Sequence, residues 1–206
     1  MNVTEQAGTV KQPKSAYFHL KHAIDFLLCL SALLILLPFL VAFSILIKLN
    51  SSGPIFYRQE RIGLNGEPFT LIKFRTMWLD AEKDGPQLAQ PNDERITTIG
   101  RFLRKYRIDE IPQFINILRG EMSLIGPRPE REVFIKDIEK KLPRFRERLK
   151  VKPGITGWAQ IHGGYDLSPK EKLEFDLYYI RHFSFWMDAK IILKSIPVIL
   201  FCKGWR

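Results

Sequence analysis

A chain of 206 residues with 32 Lys plus Arg against 22 Asp plus Glu carries a formal charge of +10. Its 46% hydrophobic and 12% aromatic content excludes a disordered or low-complexity chain, and the length gives one domain with a real core and barely two. Cys29 and Cys202 are the only cysteines and the four histidines stand in no zinc-ligand spacing, which excludes a disulfide framework, argues against zinc and favours a reducing compartment. A basic globular chain points to nucleic acid or to an anionic membrane surface. The membrane is the better reading, with no nucleic acid as partner, because the apolar residues are gathered in one place.

Residues 1–20 form a polar N-terminal tail, expected to fray at its start. Within 21–50, Phe26 to Ile47 reads FLLCLSALLILLPFLVAFSILI, 22 residues without a charge. That is roughly 33 Å of helix, enough to cross a bilayer and too long for a secretory leader. Pro38 falls near its centre, where it removes a backbone donor. Lys11, Lys14 and Lys21 precede the segment and Lys48, Arg58 and Arg61 follow it, so the charge asymmetry of a spanning helix is missing. These features predict a re-entrant helix broken at Pro38, with Ser31 and Ser44 satisfying freed backbone groups; a straight, Pro-kinked span is the alternative.

Residues 51–206 read as the soluble part of the chain. Ser51-Ser52-Gly53-Pro54 is a turn signal, and Ile55 to Ile62 and Pro68 to Met77 are β-like runs joined through Gly63, Asn65 and Gly66 as a hairpin. Ala81 to Arg95 is polar and interrupted by proline, a loop. Helices are expected at Ile99 to Tyr106 and from Asp109, as N-cap, to Arg119, where Gly120 stops the run. Glu132 to Lys150 is a charged amphipathic stretch that Pro153-Gly154 closes, and another helix is expected over Pro169 to Arg181. Arg128 to Lys152 holds ten basic residues against five acids, either a solvated face or a surface attracted to anionic lipid. Trp186 to Trp205 mixes apolar residues with Lys190, Lys194 and Lys203, which suits an interfacial helix in the headgroup plane, a core helix being the alternative.

Chemistry is densest in RFLRKYRIDEIPQFINILRGEMSLIGPRP, residues 101–129. Asp109 and Glu110 open a helix just after Arg101, Arg104, Lys105 and Arg107, where helix N-terminus and cations hold a carboxylate ionised; ordinary capping would also explain the pair. Arg128 lies between Pro127 and Pro129, a stiff presentation suited to bidentate phosphate recognition. Lys73 and Arg75, two apart on a strand, add a second cationic pair on one face. Cations with two carboxylates describe a site for a phosphate ester and a divalent metal. A carboxylate can also serve as a nucleophile. No P-loop and no GxGxxG string occurs.

The strings KFRTM (73–77), LRKYRIDEIPQ (103–113), NILRGEMSLIGPRP (116–129), VKPGITGWAQIHG (151–163) and DLYYIRHFSFWMDAKIILKS (176–195) together resemble the monotopic phosphoglycosyl transferases, or bacterial sugar transferases. The resemblance runs from about residue 20 to the end. It implies an α+β fold with a re-entrant N-terminal membrane helix, a small β-hairpin or sheet and several amphipathic interfacial helices. It also implies an enzyme of the bacterial inner (plasma) membrane, cytoplasmic face, that moves a sugar-1-phosphate from a UDP-sugar to undecaprenyl phosphate and releases UMP. By that resemblance Asp109 is the nucleophile of a covalent aspartyl-phosphosugar intermediate, Glu110 its helper, and the two hold Mg2+. Lys73, Arg75, Arg104, Arg128 and Gln160 are then the substrate and phosphate ligands, and Pro38 the membrane break. In the family a Ser commonly precedes that proline, whereas Leu37 does here. Some relatives carry a long membrane domain ahead of this core, so the expectation is a minimal catalytic form or a fragment. The sugar is not readable, and a homodimer is left open. A basic membrane scaffold would leave the Asp-Glu pair beside GPRP unexplained, and a polytopic transferase would need many spanning helices.

Overall fold

The computed structural model describes residues 13, 16–83, 85–90 and 93–201. The tail at 1–12 and the end of the expected interfacial segment at 202–206, with Lys203 and Trp205, lie outside the described residues.

Helix α1 (Ala16–Asn50) starts earlier than the expected boundary at 21 and runs on through Pro38. The expected break is therefore absorbed within one helix, although Pro38 has no N–H to donate to the carbonyl a turn before it. Ser31 and Ser44 do not serve that break: their hydroxyls donate to Leu27 and Leu40 carbonyls, 2.9 and 2.7 Å away. The middle of α1 exposes Leu34, Ile35, Leu37 and Phe39, as a bilayer-facing segment does.

Strands β1 (Phe56–Ile62) and β2 (Pro68–Phe74) form an antiparallel hairpin in register from Phe56 opposite Phe74 to Ile62 opposite Pro68. β2 ends at Phe74 rather than at Met77, which instead bridges to Ile96 across the following loop. Thr97 caps α2 (Thr98–Lys105) by accepting from Gly100 N at 3.0 Å. A 3-10 turn at 108–113 leads into α3 (Phe114–Leu118). β3 (Ser123–Ile125) then pairs in parallel with β4 (Gly154–Thr156). Between them, the amphipathic stretch Glu132 to Lys150 forms two pieces, α4 (Glu132–Glu139) and a 3-10 helix at 143–150, because Pro143 cannot continue the first. α5 (Trp158–Ile161), α6 (Pro169–Arg181) and α7 (Phe185–Leu200) follow. The whole is an α+β fold whose sheets are two-stranded.

The largest core packs Ile135, Phe145, Leu177, Tyr179 and Ile191 from α4, α6, α7 and the 3-10 helix between them. Two smaller cores enlist α1 itself. Cys29 packs with Phe69, Leu71, Ile117 and Met122, and Ile47 packs with Phe74 and Leu103. The amino-terminal limb is fixed by charge as well: Lys21 pairs with Asp25 at 3.3 Å and Asp188 at 2.8 Å, all buried. Tyr17 donates to Asp188, and Ser123 donates to Asp25. Both limbs of α1 thus rest on one domain.

α7 resolves the choice left for the carboxyl-terminal segment in both directions. Met187 and Ile191 face the core, while Phe185, Trp186, Leu193 and Ile196 are exposed.

Candidate active site

The 3-10 turn that carries the Asp-Glu pair begins after Arg107, which adopts a left-handed conformation at φ 59°. Asp109 is therefore inside the first turn and not its N-cap. The turn packs against β2, and both carboxylates are buried. They lie in a cavity of about 510 Å3 that is also lined by Lys73, Arg104, Arg128 and Gln160. Sequence-distant segments meet here: Lys73 comes from β2, Arg104 from α2, Arg128 from the loop after β3, and Gln160 from α5.

Each carboxylate has its own surroundings. Arg128 Nη2 donates to Glu110 Oε1 at 2.6 Å, and Arg107 Nη1 stands 3.6 Å from the same oxygen. Burial pushes Glu110 up, but the Arg128 and Arg107 guanidinium groups outweigh it and hold the carboxyl below its ordinary value. Asp109 goes the other way. Burial and the negative charge of Glu110 raise it to about 6, against the pull of Lys73, Arg104 and Arg128. Reading Asp109 as simply held ionised thus counted the cations and omitted burial. Lys73 is pushed down to about 8 by burial and by Arg104, and its ammonium lies 5.1 Å from the Tyr57 ring centroid. Arg104 Nε donates to Thr76 Oγ1 at 2.8 Å.

Arg75 is placed differently from the expectation. It follows the last residue of β2, and its guanidinium donates to Ser52 O at 2.6 Å, Ser51 O at 2.7 Å and Ser51 Oγ at 2.8 Å. It borders the cavity, while its guanidinium ties the end of α1 to the hairpin. Gly53, with φ +109°, is required there, because a Cβ would fall 2.3 Å from Arg75 Nη1. Gln160 is brought to the cavity, and both polar atoms of its amide are buried without a protein partner. A buried amide with nothing to bond is costly unless a ligand completes it.

Residues that sequence reasoning passed over support the site. Arg148, counted only in a basic run, donates to the Arg128 carbonyl at 2.9 Å and pairs with Asp176 at 2.8 Å, with both side chains almost fully buried. One signal was readable: Asp176 falls on the apolar face of Leu173, Leu177 and Ile180. Arg131 and Tyr57 both donate to Glu82, at 2.8 and 3.2 Å, which holds the loop after β2 across the cavity. Asn116, fully buried, accepts from Ile72 N at 3.0 Å and donates to Thr70 O at 2.7 Å, fixing α3 to β2.

As a metal site the pair is sparse. Among the described residues no cluster of three or more His, Cys, Asp or Glu occurs. One or two carboxylates, with the remaining ligands from phosphate and water, is what Mg2+ takes in phosphate-ester sites, so Asp109 and Glu110 fit that ion. The arrangement as a whole is a buried carboxylate pair under cations, suited to a phosphate ester.

The family model described as Bacterial sugar transferase matches residues 16–202, and the chain belongs to that family. It is 42% identical over 197 residues to the UDP-N-acetylgalactosamine-undecaprenyl-phosphate N-acetylgalactosaminephosphotransferase of Aeromonas hydrophila, covering 94% of this chain and 47% of that protein. It is 42% identical over 182 residues to the UDP-glucose:undecaprenyl-phosphate glucose-1-phosphate transferase of Escherichia coli K12, 86% of this chain and 39% of that protein. An uncharacterized sugar transferase, EpsL, of Bacillus subtilis is 42% identical over 187 residues, 91% of this chain and 87% of its own length. The chain thus spans less than half of the first two relatives.

Proposed function

We propose that this chain transfers a sugar-1-phosphate from a UDP-sugar to undecaprenyl phosphate, through a covalent intermediate on Asp109. The observation that carries the reading is the buried Asp109–Glu110 pair beneath Lys73, Arg104 and Arg128. The names of the Aeromonas and Escherichia relatives support the substrate classes.

In the first step an Asp109 carboxylate oxygen attacks the sugar-bearing phosphorus. The bond from that phosphorus to the bridging oxygen breaks, and the electron pair leaves with UMP. In the second step an oxygen of the lipid phosphate attacks the same phosphorus, breaks the acyl-phosphate bond and restores the Asp109 carboxylate. Lys73 and Arg104 supply positive charge beside Asp109, and Arg128, fixed by Glu110, offers its guanidinium to the diphosphate. Mg2+, held by Asp109 and Glu110, would screen the donor's negative charge there.

The reading includes a location. Two flanks of α1 packed on one domain suit a segment that enters and leaves the bilayer on the same side. Nucleotide-sugar chemistry puts that side in the cytoplasm.

The test incubates the full chain in nanodiscs with a panel of UDP-sugars and no acceptor. One donor should yield up to one UMP per site and a mass gain of one phosphosugar on the peptide containing Asp109; a chelator should stop both. No UMP with any donor, or an adduct mapping elsewhere, would overturn the proposal.

A further inference from the structure

Lys190 and Lys194 belong neither to the buried face of α7 nor to its exposed apolar face. Standing one helical turn apart, they hold their ammonium groups each 5.3 Å from the centroid of the same indole, Trp158. Among the described residues neither has a carboxylate partner. The ring is fixed, since Trp158 is almost fully buried and stacks on Tyr178 at 5.6 Å and 20°. An indole face offsets only part of the repulsion between two cations and leaves the pair short of an anion.

The surroundings say which anion. On one side α7 exposes Trp186, Leu193 and Ile196, the face a bilayer would cover. On the other side is the cavity. Trp158 opens α5, whose Ala159, Gln160 and Ile161 line it, and Val198, one turn beyond Lys194 on the same row of α7, lines it too. From Lys190 to Val198 is about 12 Å along the helix. The row therefore runs from beside the exposed apolar face of α7 to the wall of the cavity that also holds Asp109.

We infer that Lys190 and Lys194, seated over Trp158, receive the phosphate of the single-chain lipid acceptor, while the apolar face of α7 takes its chain. The inference rests on the transferase reading. A diffuse basic patch would attract any anionic lipid; two ammonium groups held at one buried ring beside the cavity define a local phosphate site.

The experiment uses the full chain in phosphatidylcholine nanodiscs, as wild type, K190Q/K194Q and K190R/K194R. Four quantities are read: retention of radiolabelled undecaprenyl phosphate, KM for that lipid at saturating donor, the acceptor-free UMP burst, and flotation with phosphatidylglycerol vesicles. The Gln pair should lose lipid retention and raise the acceptor KM at least about tenfold, with the burst unchanged, and the Arg pair should recover both. Unchanged retention and KM in the Gln pair would overturn the inference. So would loss of flotation with phosphatidylglycerol vesicles at an unchanged acceptor KM, which would assign the lysines to general anchoring. If the wild type gives no burst with any donor, the transferase reading has failed; the retention comparison still decides the lysines.

Discussion

Burial and Glu110 favour the protonated form of Asp109, so at neutral pH the folded protein holds a charge it would be more stable without. The sign follows directly. A carboxyl raised in the folded state costs nothing below its ordinary value of 3.8, and its full cost is present above about 6. Asp109→Asn should accordingly abolish the UMP burst and leave Tm unchanged or higher at pH 7.5 in chelator, by roughly 2–4 °C for each kcal/mol relieved. The gap should close towards pH 4, and Mg2+ should raise the Tm of the wild type more than that of the variant. Differential scanning fluorimetry reads all of this; a variant less stable than wild type at neutral pH would refute it. Where the signal was local the grouping was legible: Asp109, Glu110 and Arg128, which line one cavity, stand within twenty residues of each other in the chain. Arg75 lies off the strand expected to carry it, because the two-residue alternation was carried past Phe74, where β2 ends. The upward shift of Asp109 was not legible, because cations can be counted in a sequence and burial cannot.

The loop that presents Arg128 is held from behind by the 3-10 helix at 143–150 and by α6, which meet at the Arg148–Asp176 pair. Burial raises Asp176 and Arg148 opposes it, so the carboxylate depends on its partner. Asp176→Leu should leave the buried Arg148 guanidinium without its carboxylate and cost about 3–5 kcal/mol, whereas the double change that adds Arg148→Met to it should cost less than either single change. Chemical unfolding in detergent measures the three; strict additivity would show that the pair does not act as a unit. Between elements the sequence was a weaker guide. The hairpin was readable from its turn residues, and α6 fills the bounds expected of it, starting at a Ser168–Glu171 capping box that the structure shows. The division of 132–150 was missed because its charge pattern continues across Pro143 while the backbone does not.

At the scale of the molecule, α1 is both anchor and core. Its length and apolarity were plain in the sequence, but the pairing of Lys21 with Asp188 joins residues 167 apart in the chain and could not be read from local pattern. If both flanks lie on one side, single cysteines at Asn2 and Ser52, in a background lacking Cys29 and Cys202, should resist impermeant maleimide added to intact cells and label only after lysis. Labelling of one of the two from outside would show a spanning helix instead.

The same packing bears on how the protein can be prepared. A version beginning at residue 51 would lack Cys29 and Ile47, and would uncover Phe69, Leu71 and Met122 at one core and Phe74 and Leu103 at the other. It would also leave Asp188 without Lys21 and Tyr17. Truncation therefore makes an aggregation-prone remnant rather than a detergent-free enzyme. A water-soluble form has to keep the whole helix, retain its inward residues Lys21, Asp25, Cys29, Phe43 and Ile47, and turn only the outward Leu27, Leu34, Ile35, Leu37, Val41 and Ile45 polar.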